Sequence, residues 1–418
     1  MQHPTANLIL GYEKTCNCER DILIGVLRAN KIEVLEIGFD DSAYLTKYDV
    51  AIFIPSSDRD IQMFDSLRGL RCPTIIAGRY VSNVFPLSMR SPRSSQIIVI
   101  GEPYKTITEL TSKQTLLDKF VGRTILGQLW NPTGIRLPSA TECVNSTVSI
   151  LTSIGCEKCC AYCPYGSLHR KIYGDNFSRR ERSGIEVFEE CNLAIRNGAN
   201  TIQFVADQVF SEVSHNNEQL ALLASLCKMG FTSRVSLVFN ITPTAVINNR
   251  ELLLALDKVF ELCPTLSIES LDDRALQLFD VGFCADDAIQ AVRILTEWDL
   301  AFRFNYIFEH PWKTEEGLSD ELERMTVIAE IVSGLAPVRQ LLLAGDLFTH
   351  TYRALNGAPL ELHMSLANRK RCMSAAFLNV LKVALDTIVF EATQLTIRDD
   401  VMHSLIQRCW LARFPLFS

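Results

Sequence analysis

Short apolar runs alternate with amphipathic stretches along residues 1–140. Runs such as Ala51–Ile54 (AIFI) and Ile97–Ile100 (IIVI) are apolar at every position, which is typical of parallel strands buried on both faces. The amphipathic stretches between them carry apolar residues at helical spacing. The predicted strands are Asn7–Leu10, Ile32–Ile37, Val50–Pro55, Pro73–Ala77 and Gln96–Gly101, and the predicted helices are Glu19–Asn30, Ile61–Leu70 and Thr106–Lys113. This alternation predicts βαβ units that form a Rossmann-like layer of about five parallel strands.

A second series of strands and helices follows a connector with two prolines, residues 130–141 (WNPTGIRLPSAT). Its predicted strands are Val148–Thr152, Thr201–Val205, Val235–Asn240, Leu266–Ile268, Arg303–Ile307 and Val338–Leu343. Its predicted helices are Gly184–Asn197, Glu218–Lys228, Arg250–Val259, Asp286–Trp298 and Glu315–Ser333. This pattern favours a partial (β/α)6 barrel, whose functional loops follow the carboxyl ends of the strands.

The expected fold class is therefore α/β, with a Rossmann-like domain ahead of the partial barrel. The remaining residues show a mostly helical amphipathic pattern, which predicts a helical C-terminal extension. The predicted domains are residues 1–140, 141–345 and 346–418.

Composition and charge narrow the classes of function. Apolar residues make up 48% of the chain and charged residues 21%, as in globular proteins. The 41 basic residues against 48 acidic ones give a net charge of −7, so we expect no nucleic-acid partner. The N-terminus lacks a basic stretch followed by an apolar run, and no apolar stretch reaches the ~18 residues of a membrane span. We therefore expect a cytoplasmic protein without a membrane partner.

Four of the 14 cysteines lie together in the segment Gly155–Gly166 (GCEKCCAYCPYG). In a long chain without a secretion signal, clustered cysteines are typical of metal or redox sites. One spacing pairs Cys156 with Cys159 and Cys160 with Cys163, as in two zinc half-sites. Structural zinc sites usually separate such pairs by many residues, which disfavours this pairing but leaves a zinc-binding scaffold as an alternative.

The other spacing, Cys156-x3-Cys160-x2-Cys163, supplies three thiolates from one loop. Three ligands on a four-iron cluster leave one iron open to an outside ligand, whereas ferredoxin sites hold every iron by cysteine. An iron atom that can bind an outside ligand is typical of a cluster that takes part in catalysis, and electron transfer alone does not require it. In this interpretation Cys159 is not a ligand.

This spacing, with Tyr162 at the aromatic position before the last cysteine, resembles the signature of radical S-adenosylmethionine (radical SAM) enzymes. The resemblance implies that a [4Fe–4S] cluster bound by the three cysteines is chelated by the amino and carboxylate groups of SAM. It further implies that an electron from the cluster releases a 5′-deoxyadenosyl radical, which abstracts hydrogen from the substrate.

The resemblance extends along the predicted barrel. The segment FVADQVF, residues 204–210, occupies the place where the family binds the SAM amino group, although the usual Gly-Gly-Glu is absent. Asp207 is the best polar replacement there, and a helix-capping aspartate is the alternative. The residues that the resemblance assigns to SAM are Tyr162, Asp207, Gln208, Asn240, Glu269 and Ser270.

Glu309 and His310 follow the fifth barrel strand, at the end where active-site residues lie. We expect them to be catalytic or to bind the substrate, with a hydrogen-bonded structural pair as the alternative.

A Rossmann-like domain ahead of such a barrel resembles the cobalamin-binding class of radical SAM enzymes, and Gly101-Glu102-Pro103 resembles a segment of that domain. However, residues 11–16 (GYEKTC) contain no Asp-x-His-x-x-Gly, and residues 77–80 (AGRY) replace the usual glycine pair. We therefore expect a degenerate domain without cobalamin, and cobalamin binding is the alternative.

The resemblance is greatest to the aminoglycoside-pathway radical SAM diol dehydratase. It implies hydrogen abstraction from a small natural product and dehydration of a vicinal diol on an aminoglycoside sugar. The implied partners are an electron donor such as flavodoxin and a reductase that takes the ketone product. A cobalamin-dependent radical SAM C-methyltransferase is the alternative enzyme, and a non-enzymatic zinc-binding scaffold is the alternative from another class.

Overall fold

The computed structural model of the chain describes residues 5–9, 18–37, 50–55, 72–77, 96–121, 123–126, 128–129, 131–132, 135, 147–163, 170, 172–174, 178–231, 234–309, 315–332 and 347–351. The strands in these residues are β1 Thr5–Ile9, β2 Glu33–Ile37, β3 Ala51–Phe53, β4 Thr74–Ile76, β5 Gln96–Ile100, β6 Arg123–Leu126, β7 Thr147–Leu151, β8 Ser153–Ile154, β9 Arg180–Glu181, β10 Thr201–Val205, β11 Ser236–Ile241, β12 Glu261–Glu269, β13 Arg303–Glu309 and β14 Leu347–Thr351. The α-helices are α1 Cys18–Ala29, α2 Tyr104–Ser112, α3 Gln114–Phe120, α4 Gly184–Arg196, α5 Glu218–Gly230, α6 Pro243–Asn248, α7 Arg250–Asp257, α8 Asp273–Phe279, α9 Ala285–Glu297 and α10 Glu315–Val332.

The first sheet has the strand order β2-β1-β3-β4-β5-β6, and every neighbouring pair is parallel. This order confirms the Rossmann-like layer. The sequence pattern missed β6, because Arg123 and Thr124 interrupt its apolar run. From β1, the chain adds β2 on one side of the sheet and β3 to β6 on the other, so the strand order switches between β1 and β3. Doubly wound sheets bind ligands outside the carboxyl ends of the strands at such a switch point. The strand order therefore indicates the carboxyl ends of β1 and β3 as the place where a sheet of this kind binds a ligand.

One buried core holds this sheet together. β3 and β4 are buried at all positions, as expected for strands covered on both faces. α1 packs on the sheet with an apolar face that includes Leu23 and Leu27, both fully buried. Leu151 and Ile154, which belong to β7 and β8, are members of the same buried cluster. The first strand of the predicted barrel domain thus contributes to the core of the first sheet.

The second sheet has the strand order β14-β13-β12-β11-β10-β7. The pairs β7–β10, β11–β12, β12–β13 and β13–β14 are parallel. This confirms the parallel, partial-barrel layer. The predicted strand at residues 338–343 lies outside the described residues, and β13 instead pairs with β14. β12 begins at Glu261, five residues before the predicted start, because Pro264 hid its first half from the pattern.

The chain divides into two compact units, one extending to Asp207 and the other beginning at Gln208. The first unit holds the first sheet with β7 to β10, and the second holds β11 to β14. The predicted domain boundaries at residues 140 and 345 stay a prediction, and the predicted C-terminal extension lies outside the described residues apart from β14. No helix in the described part of the chain is both long and apolar enough to span a membrane.

Candidate functional site

The four clustered cysteines lie on a loop that begins directly after β8. The two-residue strand β8 pairs with β9 in antiparallel fashion, with Ser153 opposite Glu181 and Ile154 opposite Arg180. Gly155 then turns the chain with a φ of +91°, and a Cβ at this position would lie 2.6 Å from the carbonyl oxygen of Ser178. Only glycine fits this turn without moving the backbone. The start of the cysteine loop is therefore held tightly against the segment that leads into β9.

The loop cysteines are all half-buried and free of disulfides. The backbone N–H of Cys163 donates to the carbonyl of Cys160 at 2.9 Å, so these two residues flank one tight turn that contains the half-buried Tyr162. In the described part of the chain, no three His, Cys, Asp or Glu side chains converge as they would around a metal ion. The donor set of three thiols within eight residues nevertheless has the chemistry that an iron–sulfur cluster requires.

Burial raises the pKa of the Cys156 thiol to about 12, and the negative charges of Asp207 and Cys163 act in the same direction. A thiol must lose its proton to ligate a metal, so a metal bound by Cys156 would displace this proton.

Asp207 follows β10 and contacts the entrance of the loop. Its Oδ2 atom accepts a hydrogen bond of 2.7 Å from the backbone N–H of Gly155, the residue before Cys156. The carboxylate therefore fixes the chain where the cysteine loop begins. In this contact Asp207 does not cap a helix, which was the alternative interpretation. The contact of Asp207 with SAM stays a prediction. Gln208, the next predicted SAM residue, is buried.

Arg182 anchors the segment that carries β9. Its guanidinium is 2% exposed and forms an ion pair with the fully buried Glu190 of α4. It also donates to the carbonyl of Leu151 at 3.2 Å, to the carbonyl of Ile135, and to Glu186 at 3.3 Å. One side chain thus joins the connector, the first barrel strand and α4. The sequence interpretation missed this role, because its partners lie up to 47 residues away.

In the second unit, one face of the sheet is lined with polar side chains. On β11, Leu237 and Phe239 are buried on the opposite face, whereas the predicted SAM residue Asn240 is exposed. The half-buried Asn305 donates to Ser267 at 3.2 Å across the β12–β13 pair. Polar residues at alternate positions, such as Ser267 and Glu269 on β12 and Arg303 and Asn305 on β13, were the available signal for this face, which suits a polar ligand.

The two predicted SAM residues at the end of β12 have different environments. Glu269 is half-buried and adopts a left-handed backbone with φ of +57°, next to a register shift in the β12–β13 pairing. The Ser270 side chain is fully buried, and its hydroxyl donates to Glu321 of α10 at 2.5 Å. Ser270 therefore supports the turn from within the protein, and its predicted contact with SAM stays a prediction.

Tyr306 lies beside this turn and is fully buried. Burial raises its pKa well above the usual value, and the nearby Glu321 charge adds to that shift. Arg324 of α10 donates to the carbonyl of Leu271 at 2.5 Å and to Asp273 at 2.7 Å. Residues of β13 and α10 therefore pack against the turn after β12, where Glu269 has its left-handed backbone.

The predicted substrate residues lie at the next strand end. Glu309 is the last residue of β13, and its backbone pairs with Thr351 of β14. The side chain of Glu309 and the whole of His310 lie outside the described residues, so their catalytic role stays a prediction.

No protein-family model matches the chain, and no curated protein matches it by sequence. Solved structures do match. OxsB, a cobalamin-dependent S-adenosylmethionine radical enzyme solved with aqua-cobalamin and S-adenosylmethionine, superposes with a TM-score of 0.64 at 14% identity over 88% of this chain. This chain covers only 61% of OxsB, which is less than two thirds of that protein.

Two structures of TsrM, a radical S-adenosylmethionine methyltransferase from Kitasatospora setae, also match. The TsrM structure with tryptophan and aza-SAM has a TM-score of 0.55 at 13% identity, over 86% of this chain and 76% of TsrM. The TsrM structure with cobalamin and a [4Fe–4S] cluster has a TM-score of 0.54 at 12% identity, over 78% of this chain and 70% of TsrM.

Cobalamin is bound in the OxsB structure and in one of these TsrM structures. The comparisons thus give no support to the expectation that the N-terminal domain has lost cobalamin. Of residues 77–80, on which that expectation rested, only the buried Ala77 belongs to the described residues. With a doubly wound sheet ahead of a parallel partial barrel, this chain has the fold of the cobalamin-dependent radical SAM enzymes to which it is structurally similar.

Proposed function

We propose that the chain is a radical SAM enzyme that acts on a small polar molecule. The observation that carries this proposal is the position of Cys156, Cys160 and Cys163 on one loop after the first barrel strands, in a chain with the fold of OxsB and TsrM. These cysteines would hold a [4Fe–4S] cluster. When bound, such a cluster supplies the electron that cleaves SAM and thereby starts hydrogen abstraction.

The residues around the loop support the proposed binding of the cluster. Asp207 and Gly155 fix the backbone before Cys156, and the half-burial of the cysteines limits access of water. For SAM we keep the predicted residues Tyr162, Asp207, Gln208, Asn240, Glu269 and Ser270. Among the predicted SAM residues of the second unit, Asn240 and Glu269 are the two whose side chains are at least partly exposed. We therefore assign these two residues direct contacts with SAM.

We further propose that the N-terminal sheet binds cobalamin at the carboxyl ends of β1 and β3, and that the reaction is methyl transfer to a carbon atom. The strand order supports this place, and the cobalamin of the structural neighbours supports the ligand. This proposal replaces the expectation of a domain without cobalamin. An electron donor such as flavodoxin would then reduce the cluster.

Dehydration of a vicinal diol on an aminated sugar is the second candidate. The observation that favours it is the sequence of the N-terminal loops, which offers neither a histidine in residues 11–16 nor a glycine pair in residues 77–80. A dehydratase would need no cobalamin, and a partner reductase would take its ketone product.

One experiment tests the function and distinguishes the two reactions. The protein is produced with cobalamin available, reconstituted anaerobically with iron and sulfide, and incubated with SAM, dithionite and candidate substrates that include aminoglycosides. We expect a brown protein that forms 5′-deoxyadenosine and, by mass spectrometry, a product heavier by one methylene. A product lighter by one water would select dehydration instead. A colourless protein that holds zinc and leaves SAM intact would contradict the radical SAM assignment.

Glu309→Gln is expected to weaken substrate binding by about tenfold to a hundredfold, because a charge-assisted hydrogen bond contributes about 1.5–3 kcal/mol. The prediction follows from the position of Glu309 at the end of β13. The weaker binding is measured as a higher Michaelis constant and as a lower ratio of product to 5′-deoxyadenosine. The iron content of the variant should not change. Glu297→Gln, at an exposed carboxylate of α9, is the matched control. Unchanged turnover in Glu309→Gln would remove Glu309 from the site.

A further inference from the structure

Glu102 connects the first sheet to the segment that follows the cysteine loop. It lies two residues after β5, and its side chain is 1% exposed. Its carboxylate forms an ion pair with the guanidinium of Arg180, and its backbone N–H donates to the hydroxyl of Tyr173 at 2.7 Å. A single buried residue thus makes two contacts with the chain beyond the cysteines. We refer to these two interactions of Glu102, with Arg180 and with Tyr173, as the Glu102 contact.

The neighbouring Gly101 shows how closely the two segments approach. Its φ is +92°, and a Cβ at this position would overlap the hydroxyl of Tyr173. A side chain here would therefore be strained and would also push Tyr173 away from Glu102. The Glu102 contact depends on a glycine at this position.

The Glu102 contact leads to the first cluster cysteine through only a few residues. Arg180 is paired in register with Ile154 in the β8–β9 ladder, and Ile154 is buried in the core of the first sheet. Gly155 and Cys156 follow Ile154 directly. The β8–β9 pairing therefore connects Arg180 to the backbone two residues before Cys156.

The charges in the Glu102 contact make it costly to disturb. Because Arg180 and Glu102 are largely removed from water, loss of one partner leaves the other charge uncompensated. Burial raises the pKa of Tyr173 to about 12, and the Glu102 charge adds to that shift, so the hydroxyl keeps its proton at neutral pH. Tyr173 therefore accepts the Glu102 N–H as a neutral hydroxyl.

We propose that Glu102, Arg180 and Tyr173 are positioning residues through which the N-terminal sheet sets the place of Cys156 and hence the rate of SAM cleavage. This inference rests on the proposed function. It gives the N-terminal domain a role in the radical chemistry that is separate from cobalamin binding. None of the three residues needs to touch SAM or substrate.

The test uses Gly101→Ala and Glu102→Gln in the full chain, with Gly198→Ala as the matched control. Gly198 has nearly the same φ, +93°, but a Cβ there would meet nothing within 4 Å. The first readout is made in cluster-free protein, as the protection of Cys156 against alkylation at a fixed pH, followed by mass spectrometry. The second readout is made in reconstituted protein, as the rate of 5′-deoxyadenosine formation per cluster. In the same samples, the electron paramagnetic resonance signal of the reduced cluster is compared before and after SAM is added.

We expect both variants to lose the protection of Cys156 and to form 5′-deoxyadenosine about tenfold to a hundredfold more slowly per cluster, because small displacements of reacting groups have effects of that size. Gly198→Ala should match the wild type in both readouts. If a variant fails to fold, Tyr173→Phe removes only the hydroxyl and is measured in the same way.

Unchanged protection of Cys156 would overturn the inference, whether or not the protein cleaves SAM. A lower iron content with an unchanged rate per cluster would also overturn it, because the contact would then be structural only. If the wild-type protein takes up no iron–sulfur cluster, the proposed function fails, while the alkylation result still decides whether Glu102 positions the loop.

Discussion

Replacing Arg182 by methionine is expected to lower the free energy of unfolding by about 3–5 kcal/mol. Arg182 is 2% exposed and its ion-pair partner Glu190 is 0% exposed, so the substitution leaves a buried carboxylate without its counter-charge. The carbonyl oxygens of Ile135 and Leu151 also lose a donor. Methionine keeps the length of the side chain, which limits the effect of a cavity. The measurement is urea denaturation followed by circular dichroism, analysed for the transition of the unit that contains Arg182.

Arg196→Met is the matched control, because Arg196 is exposed on the same helix as Glu190 and should change stability by no more than about 0.5 kcal/mol. Removing the partner as well, in Arg182→Met with Glu190→Leu, should recover part of the loss, since an apolar pair leaves no isolated charge. A loss below about 1 kcal/mol for Arg182→Met would show that Glu190 is compensated by other groups.

Alanine at Cys156, Cys160 or Cys163 is expected to abolish 5′-deoxyadenosine formation. A cluster with only two protein ligands is not held in place, so iron content and visible absorbance should fall together with activity. Cys159→Ala is the control within the same loop, because its thiol is half-buried like the others but lies outside the Cys-x3-Cys-x2-Cys spacing. It should retain iron and activity.

The outcome for Cys159 decides between the two ways of pairing the cysteines. If Cys159→Ala bleaches the protein while Cys160→Ala leaves it brown, the ligand assignment is wrong. If all four substitutions release zinc and none affects iron, the loop is a zinc site and the enzyme assignment falls with it.

Local sequence pattern was sufficient for most elements of the fold. The strand Thr201–Val205 was predicted with its observed bounds, and α4 differs from its prediction by one residue at its end. Cys191 and Cys227, on the apolar faces of α4 and α5, are buried free thiols, as cysteines at such positions usually are. These features follow from the spacing of apolar residues, which a sequence shows directly.

Contacts between distant residues could not be predicted in the same way. Asp207 was chosen for its position after a strand, but its hydrogen bond to Gly155 depends on how β10 lies beside β7. Ser270 was expected to face a ligand, yet its hydroxyl donates to Glu321, which lies 51 residues further along the chain. The partners of Arg180 and Arg182 are far apart in sequence, and no periodicity marks them.

The membership of Leu151 and Ile154 in the core of the first sheet has a consequence for synthesis of the chain. As the protein emerges from the ribosome, the first sheet cannot complete its core until Ile154 has left the exit tunnel. A fragment ending at the predicted boundary, residue 140, would leave apolar surface of the first sheet uncovered and prone to self-association. A gene cut between the two sheets would therefore remove Leu151 and Ile154 from the core that they help to fill.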